Sequence, residues 1–381
     1  MPEPSATAST TARPDVPSKP ATGHGTRRRI ISTAISLIVV VGIFVFAIPR
    51  IADYGEVWRT VTTLTPLELS TLVLVMVFNL FTYWFANMAA LPGLKLGQAA
   101  VLTQTTTSIA NTIPAGGAVA LGLTYQILRS WGFTGSAIAL YIGVTGIWNI
   151  FTKLALPVIS IAVLAVSGGG SAAYIGAALI GVAVLAVAVV LLALVFWRES
   201  FARRVGDRLG RIVSWFRRLA HKDPVTDGAD RATAFRADTV ELVHRRWIAI
   251  TLTTILSQLA LYVVLLLALR HVGVSEQEVS AAQVLAVFAF GRLLTALPIT
   301  PGGLGLVELG YIGGLVAAGG DKPQVVAAVL LFRVLTYGIQ IPLGAFTYMI
   351  WRAKTGWRRD EPPEGAIGEG HVAGAPEVEP A

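Results

Sequence analysis

Residues 296–310, ALPITPGGLGLVELG, decide how the rest of the chain is read. Pro298, Pro301, Gly302 and Gly303 stop any helix arriving from Ala281, yet the run that follows is again apolar and helical in character. Backbone groups freed by such a break have no partner in hydrocarbon. The break is tolerated only inside protein or beside a wet cavity. Five residues past it sits Glu308, a carboxylate in otherwise apolar surroundings. A broken apolar helix with an ionisable group beside it is the sequence mark of a membrane binding site. The plainer alternative is a Pro/Gly turn between two spans, with Glu308 paired to an Arg.

The wider composition supports a membrane setting. Of 381 residues, 54% are hydrophobic and 14% charged, and the mean hydropathy is +0.67. An ordinary soluble domain is excluded; an all-α, polytopic membrane helix bundle is indicated. Without a single cysteine, disulfides, thiolate metal sites and cysteine nucleophiles drop out. The net charge of +8 is carried mostly by Arg and Lys flanking apolar runs, which points to topology and anionic headgroups rather than nucleic acid.

Taken in order, residues 1–29 form a Pro/Ser/Thr/Ala-rich tail ending in Arg27-Arg28-Arg29, expected to be disordered and cytoplasmic. The first transmembrane half covers 30–197, with full spans expected at 30–48, 67–91, 137–166 and 172–197. Between the second and third of these lies 98–132, whose polar first arm (TQTTTSIANT, 103–112) ends at Pro114-Ala115-Gly116-Gly117. Its two arms are each short of the ~20 residues needed to span, so a re-entrant hairpin is expected. Residues 198–247 form a cytoplasmic loop in which Arg and Lys outnumber Asp and Glu, with apolar residues at helical spacing over 201–219. The second half, 248–351, has spans at 248–269 and 324–351 around a second broken hairpin at 281–320. The 352–381 tail is expected to be cytoplasmic and disordered. The total is about six full spans plus two re-entrant Pro-Gly-broken hairpins. Mid-span aromatics Phe81, Tyr83, Trp84 and Phe85 are expected against other helices or a cavity, and 49–66 is read as a polar connection.

The halves repeat. Pro114 is followed 43 positions later by Pro157, and Pro301 is followed 41 positions later by Pro342. Each hairpin is preceded by a span and followed by a kinked one. The expected topology opens the two hairpins to opposite sides, as in inverted repeats that meet at the bilayer midplane. Two half-helix N-termini, after Gly116-Gly117 and Gly302-Gly303, would then converge with their partial positive charge on an anion.

Intramembrane charges are Lys153, Arg292, Glu308 and Arg333, with Arg333, Tyr337 and Gln340 at i, i+4 and i+7, and Asn149 and Lys153 at i, i+4. Each costs about 2.5–3.5 kcal/mol at mid-bilayer on insertion scales, and a single acid does not neutralise three bases. Helix-to-helix bonding is the alternative role for them. Glu308 and Arg333 are expected to pair, leaving Arg333 with Arg292 to attract a phosphate. Five scattered His residues and the lack of GxSxG, Walker or HExxH patterns give no catalytic, metal or cofactor candidate.

PITPGGLGLVELG with Arg333 downstream, and more weakly Asn111 with IPAGGAVALG (113–122), resembles the flippase-like transmembrane family named for the membrane part of lysylphosphatidylglycerol synthase. The resemblance runs from about residue 30 to residue 352. It implies a multi-pass bacterial inner-membrane protein that moves or handles an anionic phospholipid or lipid-linked envelope precursor. By resemblance the positions carried over are Pro301, Gly302, Gly303, Gly305, Glu308 and Arg333. The synthases add a soluble aminoacyl-transfer domain, whereas this sequence stops about 30 residues after the last span, so aminoacylation is not expected. Nor are there charges at 118–124, just past the first break, which sets this chain apart from many members. Two other readings stay open: a non-catalytic partner of an envelope-lipid enzyme, and a membrane-embedded glycosyl or aminoacyl transferase using Glu308 as base.

Overall fold

The computed structural model describes residues 54–113, 116–169, 228–295 and 300–357, with the single position 183. The expected spans at 30–48 and 172–197, the amphipathic stretch at 201–219, Pro114, Pro298, most of the 198–247 loop, the 1–29 tail and residues 358–381 lie outside them; residues 352–357, expected to begin a disordered tail, instead end a helix at Ala353 and form a 3-10 turn at Thr355–Trp357 whose Trp357 packs on Trp131. Every regular element within them is helical.

The chain enters on α1 (Tyr54–Thr62), placed where the sequence reading had a polar connection. Its Tyr54, Val57, Trp58 and Val61 recur at helical spacing, and it packs on α9, with Val61 against the main core. α2 (Pro66–Ala90) starts sharply. Thr65 caps it, Pro66 occupies its first turn, and Glu68 reaches back to the Thr65 N–H at 2.8 Å, satisfying donors that a helix start leaves open. α3 (Leu96–Thr112) and α4 (Gly116–Ser130) form the first hairpin. α5 (Gly135–Leu164) contains Pro157 and runs into a π turn at Ala165–Gly169.

α6 (Gly228–His271) delivers the chain to the second half, its apolar part beginning near His244. α7 (Ala281–Leu294), a 3-10 turn at Pro301–Gly303 and α8 (Leu306–Ala317) form the second hairpin. α9 (Lys322–Arg333), a π turn at Val334–Gly338 and α10 (Gln340–Ala353) make one bent apolar rod. The widened turn immediately precedes Pro342, whose missing N–H breaks the regular bond ladder there.

Four helices are long and apolar enough to cross a membrane: Pro66–Ala90, Gly135–Ser167, His244–His271 and Lys322–Ala353. They coincide with the four expected spans that fall on described residues. The hairpin arms have 17, 15, 14 and 12 residues, about 18–26 Å of helix at 1.5 Å per residue, short of a ~30 Å hydrocarbon layer.

Packing repeats across the halves with partners exchanged. α2 lies along α6; α3 lies along α10, and α7 lies along α5. Each hairpin's first arm therefore rests on the long kinked helix of the opposite half. Exchanging the halves preserves that pattern, as an internal repeat requires. Outward, α2 and α6 present Leu67, Leu74, Phe78, Leu252 and Leu256 to the surroundings. An apolar exterior of this size belongs against hydrocarbon. Phe81 and Phe85 join that outer surface, whereas Tyr83 turns to the interior cavity. The aromatic cluster is thus split, because residues four apart share a helix face and Tyr83 sits between them on another.

Candidate functional site: a cationic cavity between the halves

Inside the apolar shell is a cavity of about 410 Å³ walled by both halves. α3 contributes Thr103, Gln104, Thr107 and Asn111, spaced so that one polar stripe of the TQTTTSIANT segment faces inward. Nine of the sequence-derived site positions line the same space: Gly116, Gly117, Lys153, Arg292, Gly302, Gly303, Arg333, Tyr337 and Gln340. Asn149 does not; it is exposed on α5. Pro301, Gly305 and Glu308 lie beside the wall rather than on it.

Glu308 is fully buried. Its Oε1 accepts a hydrogen bond from Arg333 Nε at 2.6 Å, and its Oε2 accepts from the Gly305 backbone N–H at 2.6 Å. The first contact is a charge-assisted pair. The second places the carboxylate over the start of α8, where open N–H groups and the helix dipole favour negative charge. Gly305 takes φ 85°, a left-handed conformation that a side chain disfavours, and this turns its N–H toward Glu308. Arg333 also donates to the Gly302 carbonyl at 3.4 Å and stacks its guanidinium 4.5 Å from the Tyr337 ring centroid. The Tyr337 hydroxyl in turn donates to the Asn111 carbonyl at 2.5 Å, tying the second break to the end of α3.

Two expectations change as a result. The two helix N-termini are not equivalent. α4 begins at the cavity with Gly116 and Gly117, whereas at the start of α8 the Gly305 N–H is already engaged by Glu308. Likewise Arg333 is not left over with Arg292: Glu308 holds it. The cation that joins Arg292 is Lys153. Arg292 donates from Nε to the neutral Gln258 Oε1 at 3.0 Å. Among the described residues neither Arg292 nor Lys153 has an acidic partner, and none of the lining residues is Asp or Glu.

The polar wall holds a further feature. Gln104 is 1% exposed with both amide atoms unpartnered, and Gln340 is 6% exposed with an unpartnered Oε1. Gln104 lay within the polar segment noted in the sequence. That it lines the same cavity as Gln340 depends on the pairing of α3 with α10, which no local pattern encodes. Thr300, buried at the second break, is fixed instead by donating to the Leu304 carbonyl at 2.8 Å.

No curated protein matches this sequence. The family model for the lysylphosphatidylglycerol synthase TM region does, across residues 30–344. That match spans both hairpins and the Glu308–Arg333 ion pair, and the chain is a member of this family of membrane proteins related to phospholipid modification.

Proposed function

We propose that the protein takes the headgroup of an anionic phospholipid or lipid-linked envelope precursor into this cavity and handles it across the bilayer as a flippase or transporter. On this reading it sits in a bacterial inner membrane with both termini cytoplasmic, and it performs no covalent chemistry. One observation carries the proposal: once Glu308 is assigned to Arg333, Lys153 and Arg292 remain on the cavity wall with no acidic partner among the described residues. Two unpaired cations inside an apolar shell are costly, and an incoming phosphate offsets that cost. The transferase alternative draws no support, since its candidate base, Glu308, is buried, doubly hydrogen-bonded and ion-paired. A role as an assembly partner predicts no lipid movement by the protein alone.

The test is translocation of headgroup-labelled phosphatidylglycerol in proteoliposomes of purified protein. Transport well above empty liposomes is expected, falling at least tenfold in Lys153→Ala/Arg292→Ala. Wild-type protein no faster than empty liposomes, or an undiminished double variant, would refute the proposal.

A further inference from the structure

α4 starts on the cavity wall with Gly116 and Gly117, so how firmly it is held bears on access to the cavity, whatever the cavity takes. The second arms of the two hairpins differ in this. α8 packs against α7 and α9, buries Val307, Glu308, Tyr311, Ile312 and Leu315, and is tied to Arg333 by the ion pair. α4 packs along α3 and more lightly on α5. Seven of its 15 residues are exposed, against two of 12 in α8. A Cβ added at Gly117 or Gly122 would meet nothing within 4 Å. Local opening is drawn from elements with few buried contacts, which singles out α4.

The hold on α4 is concentrated at its far end, and part of it comes from the other half of the chain. Ile127 and Leu128 are fully buried and Trp131 nearly so, in a cluster joined by Ile350 and Trp351 of α10 and by Trp357 of the turn after it. Trp351 Nε1 donates to Ser130 Oγ at 3.1 Å. The Trp357 ring meets Trp131 edge to face, with centroids 5.8 Å apart. It also lies over Gly97 at the start of α3, where a Cβ would stand 3.6 Å from the ring. One side chain therefore touches both arms of the first hairpin at its open end. Lys354 Nζ, 4.7 Å from the Trp357 ring centroid, steadies that ring by a cation–π contact.

We infer that α4 is a gate between the cavity and the bilayer side on which the first hairpin opens, and that the turn Thr355–Trp357 is the pin that keeps it shut. Releasing Trp357 frees the end of α4 and lets its Gly116–Gly117 start draw back from the cavity wall. The Glu308–Arg333 pair meanwhile keeps α8 in place. Entry from that side is thus governed by the carboxyl end of the second half, a control the hairpin does not carry by itself.

Two measurements on the full chain in proteoliposomes test this, both using its lack of native cysteine. Thr107→Cys on the α3 wall of the cavity reports access to a negatively charged methanethiosulfonate. Trp357→Ala is expected to speed its labelling at least fivefold, the milder Lys354→Ala at least twofold, and Trp357→Phe, which keeps a ring, less than twofold. Spin labels at Gly122→Cys on α4 and at Gly313→Cys on α8, both sites where a Cβ meets open space, are each paired with one at Leu256→Cys on exposed α6 surface. In Trp357→Ala the 122–256 distance is expected to shift by one helical turn, ~5 Å, with the 313–256 distance unmoved. Unchanged labelling and an unchanged 122–256 distance in both Trp357→Ala and Lys354→Ala overturn the gate and its pin and leave the anion-binding reading standing. Equal shifts of the two distances overturn it as well, since they mean general loosening of the bundle.

Discussion

Glu308 and Arg333 are predicted to behave as one unit in a double-mutant cycle. They are joined at 2.6 Å, with side chains 0% and 12% exposed. Two unit charges about 4 Å apart attract by roughly 4 kcal/mol at an effective dielectric of 20. Desolvation consumes much of that, so the intact pair adds little net stability. Removing one member is another matter. Glu308→Gln keeps an oxygen for the Gly305 N–H but leaves the guanidinium unneutralised, which for a buried pair costs about 3–5 kcal/mol. Arg333→Gln strands a carboxylate in an apolar core at a similar cost of about 3–5 kcal/mol. In the double variant two amides can hydrogen-bond to each other. It should therefore be less damaging than the summed singles by about 2–3 kcal/mol, near the top of measured pair couplings. Equilibrium unfolding in mixed micelles, monitored by helical circular dichroism, reads all four corners of the cycle. Additivity within about 0.5 kcal/mol would refute the argument and return Glu308 to the list of possible headgroup contacts.

Two further outcomes can be measured independently. Gly302 has φ 57°, and an added Cβ would collide with the Tyr337 ring and approach Asn111 Oδ1 to 2.9 Å; Gly302→Ala should cost about 1–3 kcal/mol in strain and lower lipid translocation. Unchanged stability and transport would show the break to be a passive turn. The native chain has no cysteine, so a single Ala229→Cys is a clean topology probe; it should be labelled only from the cytoplasmic side, and labelling from outside would overturn the proposed orientation of the two hairpins.

How much was legible in the sequence varies by residue for physical reasons. The four described spans and both hairpins follow from hydropathy and from Pro-Gly breaks, because the bilayer allows so few backbone solutions. The pairing of Glu308 with Arg333 followed from cost, since a lone carboxylate among intramembrane bases seeks one of them. What the sequence did not reveal is that Glu308 also caps its own helix. That depends on Gly305 adopting φ 85°, one of many conformations open to a glycine. α1 was missed because its apolar stripe is only four residues long and sits among polar ones. Lys153 displaced Arg333 as the partner of Arg292 on the cavity wall because α5 packs on α7 from the opposite half. The i, i+4, i+7 spacing of Arg333, Tyr337 and Gln340 presumes an ideal helix, yet the chain passes through a π turn between the first and last; all three nonetheless reach the same space.

The exchanged packing of the hairpins constrains how such a cavity can open. α3 rests on α10, and α7 rests on α5, so each half keeps one arm folded over the other, as two clasped hands do. Pulling the halves apart as rigid shells would strip both arms from their seats at once, and would part α2 from α6 as well. A route to either membrane face that spares those seats runs through the hairpins themselves, tip or second arm shifting while the clasp holds. At the second tip, the Arg333 guanidinium contacts both the Gly302 carbonyl and Glu308, so it acts as a latch. The end of α3 meets that contact through the Asn111 carbonyl, which accepts from Tyr337, so a displacement of Arg333 and Tyr337 would be felt in the first hairpin.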